Sequence, residues 1–380
     1  MNERSEKAVF AMAAFTLALV VAIGVSAPSA AAQAPGQKIE EAFKNIQALN
    51  GAPADMLNPT MVYFEAALGV GCPFCHDPDG NKREADTNPR KVTARRMIEM
   101  VNTINANTFA GAKQVNCMTC HQGRSKPIGV PVVAGTQLPA ALGDDFERVR
   151  PKPISIPTSI TVDQIFDKYL AAMGGPAALE RVPSLTARGT ITQRRPGRDF
   201  PAVPVEISAK AQGMELLATG AGQNQNLTSY SGAAGWARGG QGNPRDLRRA
   251  EADALKLEDA FNLPGQLKRL IVDAKVSNPE SFGGRELYVV TGRTQNLPFV
   301  KLWFEKDSGM LARLLYHVDS LFGVYPTRIE YGDFREIDGR KVPYSWRIAQ
   351  SRNREFTWTM DNVQAAAVDD SKFAKPAAAR

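Results

Sequence analysis

Cys72-Pro73-Phe74-Cys75-His76 and Cys117-Met118-Thr119-Cys120-His121 are two copies of one short pattern, C-x-x-C-H, in a chain of 380 residues. Together they contain all four cysteines of the chain and two of its three histidines. In this spacing, two sulfurs bond the vinyl groups of a porphyrin as thioethers, and the adjacent histidine is held beneath the iron. The pattern predicts two covalently bound haem c groups. The predicted attachment residues are Cys72, Cys75, Cys117 and Cys120, and the predicted proximal iron ligands are His76 and His121.

Two other uses of the four cysteines are open from their spacing. The two pairs could supply four thiolates to a structural zinc ion. In an exported protein they could also form two local disulfides or a thiol-redox pair. Neither use explains His76 and His121, which directly follow the two pairs, and haem attachment accounts for both.

The sixth ligand position of each haem iron is expected to be filled by methionine, a soft neutral donor. Met61 lies eleven residues before Cys72 on a predicted short helix that can fold back across the first haem. For the second haem we expect Met100, with Met97 as the alternative, because both lie on one helical face ahead of Cys117. A filled sixth position leaves no place for a substrate, which favours an electron carrier over an enzyme.

His317 and three tryptophans belong to the later part of the chain. His317 follows Tyr316 in a predicted strand, with no cysteine near it in sequence. We expect an ordinary satisfied or surface histidine there. Trp303, Trp346 and Trp358 are expected to be core residues and not an electron relay.

The part of the chain before residue 124 is predicted to be helical. Apolar residues recur at helical spacing over residues 37–49, a second helix is expected to begin near Thr60, and a third to span residues 93–104. Six prolines then follow between residues 124 and 159. Neither a helix nor a central strand tolerates that density, so we predict a linker here.

The part of the chain after the linker begins with a capping-box pair, Thr161 and Gln164, and then changes its apolar period to two. Alternating strands are predicted around Val203–Ala209, Val342–Ile348 and Phe356–Met360, with a helical interruption over residues 245–271. Hairpin turns are expected at residues 307–309, 338–339 and 352–353. The predicted fold class is α+β multidomain: a small all-α dihaem unit followed by an antiparallel curved β-sheet with covering helices.

The first residues of the chain have the pattern of an export signal. Arg4 and Lys7 precede an apolar run, and small residues end it at Ala30–Ala32. The run of about 18 residues is at the lower limit for spanning a bilayer, so an uncleaved anchor is the alternative. The predicted organisation is a signal peptide over 1–32, a dihaem cytochrome c domain over 37–123, a Pro-rich linker over 124–159 and a sheet domain over 160–377.

Composition limits the classes of function. Hydrophobic residues make up 43% of the chain, which is ample for packed cores and excludes a wholly disordered chain. The formal net charge of +7 is a mild basic bias that suits acidic partners. We see no basic stripe interleaved with aromatic residues, so nucleic-acid binding is not predicted.

The segment from Asn45 to Pro127 resembles the photosynthetic reaction-centre cytochrome c subunit, specifically its third and fourth haem sites. The matching residues are Met61, Leu68 to His76, Thr93-Ala94, Met100-Val101, Ile104-Asn105 and Cys117 to Gly123. The resemblance implies electron transfer on the outer side of the cytoplasmic membrane and ligation of the first haem by Met61. For Met100 the resemblance gives support only through the family's internal repeat. The family's fourth haem takes its distal histidine from a half of the subunit that this chain lacks.

Two departures from that family bear on function. The family subunit carries four haems where this chain has two motifs, and the N-terminal lipid-bearing cysteine often found in the family is absent. We therefore carry over electron transfer, but not delivery of electrons to a photo-oxidised chlorophyll pair.

The region from Ile160 onward resembles stand-alone domains similar to the outer-membrane lipoprotein carrier. The residues that carry this resemblance are Tyr331-Gly332-Asp333-Phe334, Asp338-Gly339 and Val342-Pro343. It implies an antiparallel sheet curved over helices around an apolar hollow, and binding of a lipid, a quinone or a partner protein without catalysis.

The sequence as a whole predicts an exported dihaem c-type cytochrome that relays single electrons in the periplasm, either soluble or held by its N-terminal segment. Its expected partners are redox proteins, among them a membrane reaction centre or a quinol-oxidising complex. One alternative is a dihaem peroxidase-like enzyme with one open iron. The other is a lipid or quinone carrier with redox-sensing haems.

Overall fold

A computed structural model of the chain describes residues 36–77, 82–127, 159–195, 198–211, 213–232, 234–351 and 354–377. The predicted signal peptide at 1–32, the hairpin turn at 352–353 and all but the ends of the predicted linker lie outside these residues. Two parts are described below: the helical unit, residues 36–127, and the sheet unit, residues 159–377.

Among its described residues, the helical unit contains four α-helices and two short 3-10 turns. The helices are α1 (Ile39–Ala42), α2 (Leu57–Leu68), α3 (Pro89–Phe109) and α4 (Cys117–His121), and the 3-10 turns are Ala54–Met56 and Cys72–Phe74. Gly69 ends α2 in the left-handed conformation that glycine adopts without steric cost. Asn88 begins α3 as its N-cap, since its side chain accepts a hydrogen bond from Arg90 N.

The helix predicted over residues 37–49 is wrong beyond Ala42. Phe43 is extended, and Asn45 has a left-handed φ of 56°. The Asn45 amide donates to the Glu84 carbonyl oxygen, so this segment is held by a tertiary hydrogen bond and not by the next helical turn. The two other predicted helices are confirmed as α2 and α3, and both are longer than their patterns indicated.

The sheet unit contains four helices and fourteen strands among its described residues. The helices are α5 (Val162–Ala172), α6 (Gly175–Arg181), α7 (Arg249–Glu258) and α8 (Leu263–Leu270), and a 3-10 turn covers Asp370–Phe373 and another Gly222–Asn224. The strands are β1 (Ser184–Arg195), β2 (Arg198–Asp199), β3 (Val203–Lys210), β4 (Met214–Thr219), β5 (Asn226–Ser231), β6 (Ala234–Arg238), β7 (Arg245–Asp246), β8 (Val272–Phe282), β9 (Arg285–Arg293), β10 (Val300–Glu305), β11 (Leu311–Asp319), β12 (Val324–Ile337), β13 (Arg340–Ser351) and β14 (Arg354–Ala365).

All strands belong to one antiparallel sheet in the order β7-β6-β5-β4-β3-β1-β14-β13-β12-β11-β10-β9-β8, with β2 paired to β1. Two runs of successive hairpins, β3 to β7 and β8 to β14, meet on the two sides of β1. The late strand β14 therefore lies in the middle of the sheet. This position matters because β14 begins with a residue that contacts the helical unit.

One face of the sheet is covered by α5, α7 and α8, and the main apolar core lies between them. Phe166 and Tyr169 of α5 pack on Phe304, with ring centroids 5.8 and 5.5 Å apart. Thr161 caps α5 and forms the predicted capping box with Gln164. The α+β fold class, with a helical N-terminal part and a large antiparallel sheet, is confirmed.

The helical unit packs on the sheet unit through a second apolar cluster, which we call the shared cluster. Its buried members are Val62, Tyr63, Ala67, Ile98, Val101, Phe322 and Tyr325. The Phe64 ring lies 5.5 Å from that of Phe322. Leu321 N donates to Thr60 Oγ1 (3.3 Å), and Arg248 pairs with Asp55 (2.8 Å). The buried face of α2 therefore packs against the β11–β12 turn.

Within the described residues, no helix combines the length and the apolar character needed to cross a membrane.

Candidate functional site

Helix α2 holds the two C-x-x-C-H segments together at its C-terminal end. Gly123 N donates to the Ala67 carbonyl oxygen (2.9 Å). A Cβ on Gly69 would lie 2.0 Å from the Gly123 carbonyl oxygen, so only glycine permits this approach. Chain reach limits Cys72 to about 11 Å from Gly69 and His121 to about 7 Å from Gly123. Both segments therefore lie close to the backbone contact between Gly69 and Gly123.

His76 is oriented by the loop that follows it. Its Nδ1 lies 3.0 Å from the Arg83 carbonyl oxygen, which can only accept, so the proton is on Nδ1 and Nε2 is left with its lone pair. Burial lowers the pKa of His76, although the Arg83 hydrogen bond favours the charged form. The imidazole is thus neutral at neutral pH, as a metal ligand must be.

His121 is oriented in the same way. Its Nδ1 lies 2.9 Å from the Arg124 carbonyl oxygen, which again leaves Nε2 with its lone pair. It is the last residue of α4, whose N-cap Asn116 exchanges hydrogen bonds with Thr119. Proximal histidines commonly donate their second ring nitrogen to such a carbonyl. Both histidines therefore fit the proximal position predicted for them.

None of the four cysteines forms a disulfide in this structure, and three of them are half-buried while Cys120 is exposed. Burial raises the pKa of Cys75, and it raises the pKa of Cys117 to about 11. Thioether formation removes the ionisable group, so the cost of a charged sulfur in these surroundings does not arise after haem attachment. In the ranges that the structure describes, no three His, Cys, Asp or Glu side chains converge on a possible metal site.

The predicted distal ligands lie on the helix that precedes each motif. Met61 is half-buried on α2 and shares a helical stripe with Phe64 and Leu68. Met97 and Met100 are 40% and 43% exposed on α3. Each helix therefore offers a thioether that the protein itself leaves partly uncovered, as expected of groups that contact a bound porphyrin. The choice between Met97 and Met100 stays a prediction.

Glu65 is a site residue that the sequence reasoning missed. It is only 7% exposed, and its Oε1 accepts hydrogen bonds from Cys72 N (3.1 Å) and the Cys72 thiol (3.0 Å). Its Oε2 lies 3.3 Å from Arg354 Nη1, at the start of β14. A signal for it was present, since Glu65 is the only charged residue in the α2 sequence.

Three neutral side chains, also missed, fix the backbone around the motifs. Asn105 of α3 exchanges hydrogen bonds with both backbone groups of Val115, just before the second motif (2.7 and 2.9 Å). Asn88 donates to the Phe74 carbonyl oxygen inside the first motif (3.0 Å). The Tyr63 hydroxyl accepts from Met118 N (3.4 Å). These contacts fix the motifs against α2 and α3.

The remaining histidine and the tryptophans lie in the sheet unit. His317 is on β11, half-buried beside the Phe299 ring at 4.9 Å. Trp346 and Trp358 stack at 5.4 Å, and Trp303 Nε1 donates to Glu280 (2.8 Å). Trp303 and Trp346 are buried, and Trp358 is partly buried against the main core.

A narrow cleft lies between the sheet and α7, and most of its lining residues are apolar. It also contains two carboxyl groups, since Glu215 and Glu258 are among its lining residues. Burial raises the pKa of both side chains, and the Tyr316 hydroxyl donates to Glu258. The full lining is Ile207, Glu215, Leu217, Leu255, Glu258, Ala260, Trp346, Ile348 and Trp358.

Comparison with known families bears on the two motifs directly. The profile of the family described as photosynthetic reaction centre cytochrome C subunit matches residues 15–196. Over these residues, which include both C-x-x-C-H motifs, the chain is similar to the reaction-centre cytochrome c subunits.

Individual relatives match over shorter stretches of the chain. The reaction-centre cytochrome c subunit of Rubrivivax gelatinosus is 28% identical over 114 residues, which are 26% of this chain and 29% of the relative. That of Thermochromatium tepidum is 35% identical over 101 residues, 26% and 24% of the two chains. Cytochrome c-554 of Chloroflexus aurantiacus is 35% identical over 83 residues, 20% of each chain. The chain thus spans less than a third of these reaction-centre cytochrome c subunits and of cytochrome c-554.

Solved structures align over slightly more than half of the chain. A LolA superfamily protein of Nitrosomonas europaea aligns with a TM-score of 0.44 and 13% identity, over 57% of this chain and 99% of its own. An outer membrane lipoprotein-sorting protein domain of Vibrio parahaemolyticus aligns with a TM-score of 0.42 and 8% identity, over 56% and 95% of the two chains.

Proposed function

We propose that the chain is an exported dihaem c-type cytochrome that relays single electrons. The observation that carries the proposal is the paired geometry of the two motifs. Each has a histidine whose Nδ1 faces a backbone carbonyl oxygen at 2.9–3.0 Å, and the Gly123–Ala67 hydrogen bond joins the two segments. Each haem, when bound, supplies a one-electron Fe(III)/Fe(II) couple.

The side chains of this chain have separate tasks in such a relay. Cys72, Cys75, Cys117 and Cys120 would attach the haems, and His76 and His121 would ligate the irons through Nε2. The carbonyl oxygens of Arg83 and Arg124 keep both rings in the required tautomer and orientation. Fixed ligands reduce the reorganisation that accompanies each change of charge, which favours rapid electron transfer.

Haem content tests the proposal. We expect two haems per chain in a pyridine-haemochrome assay of the exported protein, and a matching mass increase of the intact chain. The double variants Cys72→Ser/Cys75→Ser and Cys117→Ser/Cys120→Ser should each retain one haem. One haem or fewer in the unmodified chain, or a mass without added porphyrin, contradicts the proposal.

Distal ligation is tested by separate methionine variants. Met61→Ala should convert the first haem from low spin to high spin, and Met100→Ala should do the same for the second. Met118→Leu is the matched control, because Met118 lies inside the second motif but packs against the shared cluster. If neither Met100→Ala nor Met97→Ala changes the second haem, an open iron and the peroxidase-like alternative gain support.

The charge of the helical unit supports an acidic redox partner. Residues 82–127 contain nine lysines and arginines against three aspartates and glutamates. Asp86 is already paired with Lys91 and Arg95. Most of the remaining basic side chains of this segment are exposed, so the association rate with an acidic electron-transfer protein should fall as ionic strength rises. A rate independent of salt counts against such a partner.

Lipid or quinone binding by the sheet unit stays a prediction. The cleft that could hold such a ligand contains Glu215 and Glu258, and an acyl chain would leave these carboxyl groups without water. Extraction of the purified chain with organic solvent, followed by mass spectrometry, tests this function. A stoichiometric lipid or quinone would support the carrier alternative.

Export rests on the N-terminal segment, residues 1–32, and on the periplasmic side where haem c is attached. We propose a periplasmic location with the segment either removed or kept as an anchor. N-terminal sequencing of the haem-containing protein distinguishes the two, since removal should leave a chain that begins near Gln33.

A further inference from the structure

An ion pair connects the first haem motif with the sheet unit. Glu65 Oε1 accepts the Cys72 backbone N–H at 3.1 Å, and Glu65 Oε2 lies 3.3 Å from Arg354 Nη1. The Glu65 and Arg354 side chains are 8% and 21% exposed. Arg354 is oriented by Gln350, whose Oε1 accepts from Arg354 Nε at 2.8 Å. Both charges are therefore largely shielded from water and close to the atom through which the porphyrin would be attached.

After thioether formation, the Glu65 carboxylate is still in contact with the first motif. The reaction consumes the Cys72 thiol hydrogen, and the backbone N–H of Cys72 still donates to Glu65. A buried carboxylate at this position favours the oxidised iron, because that form carries one more positive charge than the reduced form. Arg354 opposes this effect, since its guanidinium neutralises the carboxylate at short range.

The corresponding contacts of the second motif involve neutral groups. Met118 N donates to the Tyr63 hydroxyl, Asn116 caps α4, and Asn105 fixes Val115. A change in the Glu65–Arg354 pair should therefore act on the first haem far more than on the second.

We propose that Arg354, acting through Glu65, sets the reduction potential of the first haem, so that the sheet unit tunes the redox chemistry of the helical unit. Arg354 is a positioning residue in this sense, because it acts through another side chain. The inference rests on the proposed dihaem function. It goes beyond that function in assigning a redox role to a residue of the sheet unit.

Potentiometric titration of the haem-loaded chain tests the inference. Arg354→Gln should lower the midpoint potential of the first haem by at least about 59 mV, which corresponds to a tenfold change in the redox equilibrium constant for one electron. The second haem should not move. The Cys117→Ser/Cys120→Ser variant, which should retain only the first haem, assigns the two waves. Arg354→Lys should restore most of the shift, because it returns the charge.

Two further variants separate an electrostatic role from a structural one. In a Glu65→Gln background, Arg354→Gln should have a much smaller effect, because the charge that Arg354 neutralises is gone. Arg347→Gln is the matched control, since Arg347 lies on the neighbouring strand β13 and pairs with Glu330. It should leave both potentials unchanged.

Specific results overturn the inference. They are an unchanged first potential in Arg354→Gln, an equal shift of both haems, or the same Arg354→Gln shift with and without Glu65. These results apply to variants whose haem content and low-spin spectra are the same as those of the unmodified chain. Failure of the dihaem function itself appears differently, as fewer than two haems in the unmodified protein.

Discussion

Glu215 and Asp259 form a buried acidic pair whose protonation governs part of the stability of the sheet unit. Asp259 is fully buried and accepts hydrogen bonds from Phe261 N (3.1 Å), Asn262 N (3.0 Å), Asn262 Nδ2 (2.7 Å) and the Tyr230 hydroxyl. Burial, reinforced by the charge of Asp259, raises the pKa of Glu215 well above its usual range. The neutral Glu215 acid can then donate to Asp259.

A substitution at Glu215 should flatten the dependence of stability on pH. Because the folded-state pKa of Glu215 is raised, its favourable contribution is complete below the unfolded pKa of about 4.3 and is lost as pH rises through the folded value. Glu215→Gln keeps a donor but cannot ionise. Urea unfolding at pH 5 and pH 8 should therefore show a smaller loss of free energy in the variant than in the unmodified chain.

The control for this prediction is an exposed glutamate on the neighbouring strand. Glu206 of β3 pairs with Arg188 at the surface, and its side chain is 57% exposed. Glu206→Gln should change the unfolding free energy little, and equally at both pH values. An equal pH dependence in Glu215→Gln and the unmodified chain would show that Glu215 is ionised in the folded state.

Single residues differ in how far the sequence could predict them. The cysteines and histidines of the two motifs are recognisable because haem attachment requires two cysteines and a histidine within one segment of five residues. The Glu65–Arg354 pair has no such signal, since its partners are 289 residues apart. A buried charge on an apolar helix predicts that a partner exists, but only the fold, which brings the start of β14 close to Glu65, identifies Arg354.

Helix α2 and the turn after α4 meet through two glycines, and this junction holds the two motifs together. Gly69 has a φ of 63° and lies against the Gly123 backbone. An alanine at residue 69 would carry the cost of the left-handed conformation, about 1–2 kcal/mol, and its Cβ would collide with a backbone oxygen at 2.0 Å. Backbone cannot move aside as a flexible side chain can.

We expect Gly69→Ala to lower the unfolding free energy of the haem-loaded chain by more than about 3 kcal/mol. It should also reduce haem occupancy at the second motif, because α4 must move away from α2. Gly111→Ala is the matched control. Gly111 has a φ of 83°, but no atom lies within 4 Å of a Cβ there, so only the backbone cost of about 1–2 kcal/mol remains. If calorimetry shows equal losses of unfolding free energy in Gly69→Ala and Gly111→Ala, the α2–α4 contact is not needed for stability.

The helices also show where local patterns stop being informative. The spacing of apolar residues and the terminal glycine predicted α2, and the N-cap Thr161 predicted the start of α5. Residues 37–49 have a similar apolar spacing, yet only Ile39–Ala42 is helical. Tertiary hydrogen bonds explain the difference. The Asn45 amide donates a hydrogen bond to the Glu84 carbonyl oxygen, and Arg95 donates one to the Asn45 carbonyl oxygen. Neither contact can be predicted from the local sequence.

The two units of the chain share one apolar cluster, which makes the helical unit depend on the sheet. Phe322 is 7% exposed in the β11–β12 turn and packs against Phe64, while Tyr63 lies over Gly323. The sequence predicted two separate units because prolines divide them, and the strand alternation correctly indicated an antiparallel sheet. It could not predict the shared cluster, since the residues on each side are compatible with an independent core.

Removal of the Phe322 ring should therefore loosen both units together. Phe322→Ala leaves a cavity between them and should lower the unfolding free energy by about 3–5 kcal/mol. Phe282→Ala is the matched control, because Phe282 is 43% exposed at the end of β8 and its ring contacts the guanidinium groups of Arg285 and Arg313. Its loss should cost less than about 1 kcal/mol.

Hydrogen exchange locates the effect of Phe322→Ala within the molecule. If the shared cluster fixes the helical unit to the sheet, the backbone amides of α2 should lose protection in Phe322→Ala together with those of the β11–β12 turn, and neither should change in Phe282→Ala. Loss of protection in the turn alone would mean that α2 is stabilised within its own unit. If α2 does lose protection, Arg354 no longer has a rigid approach to Glu65, so the first haem potential should change together with the exchange pattern.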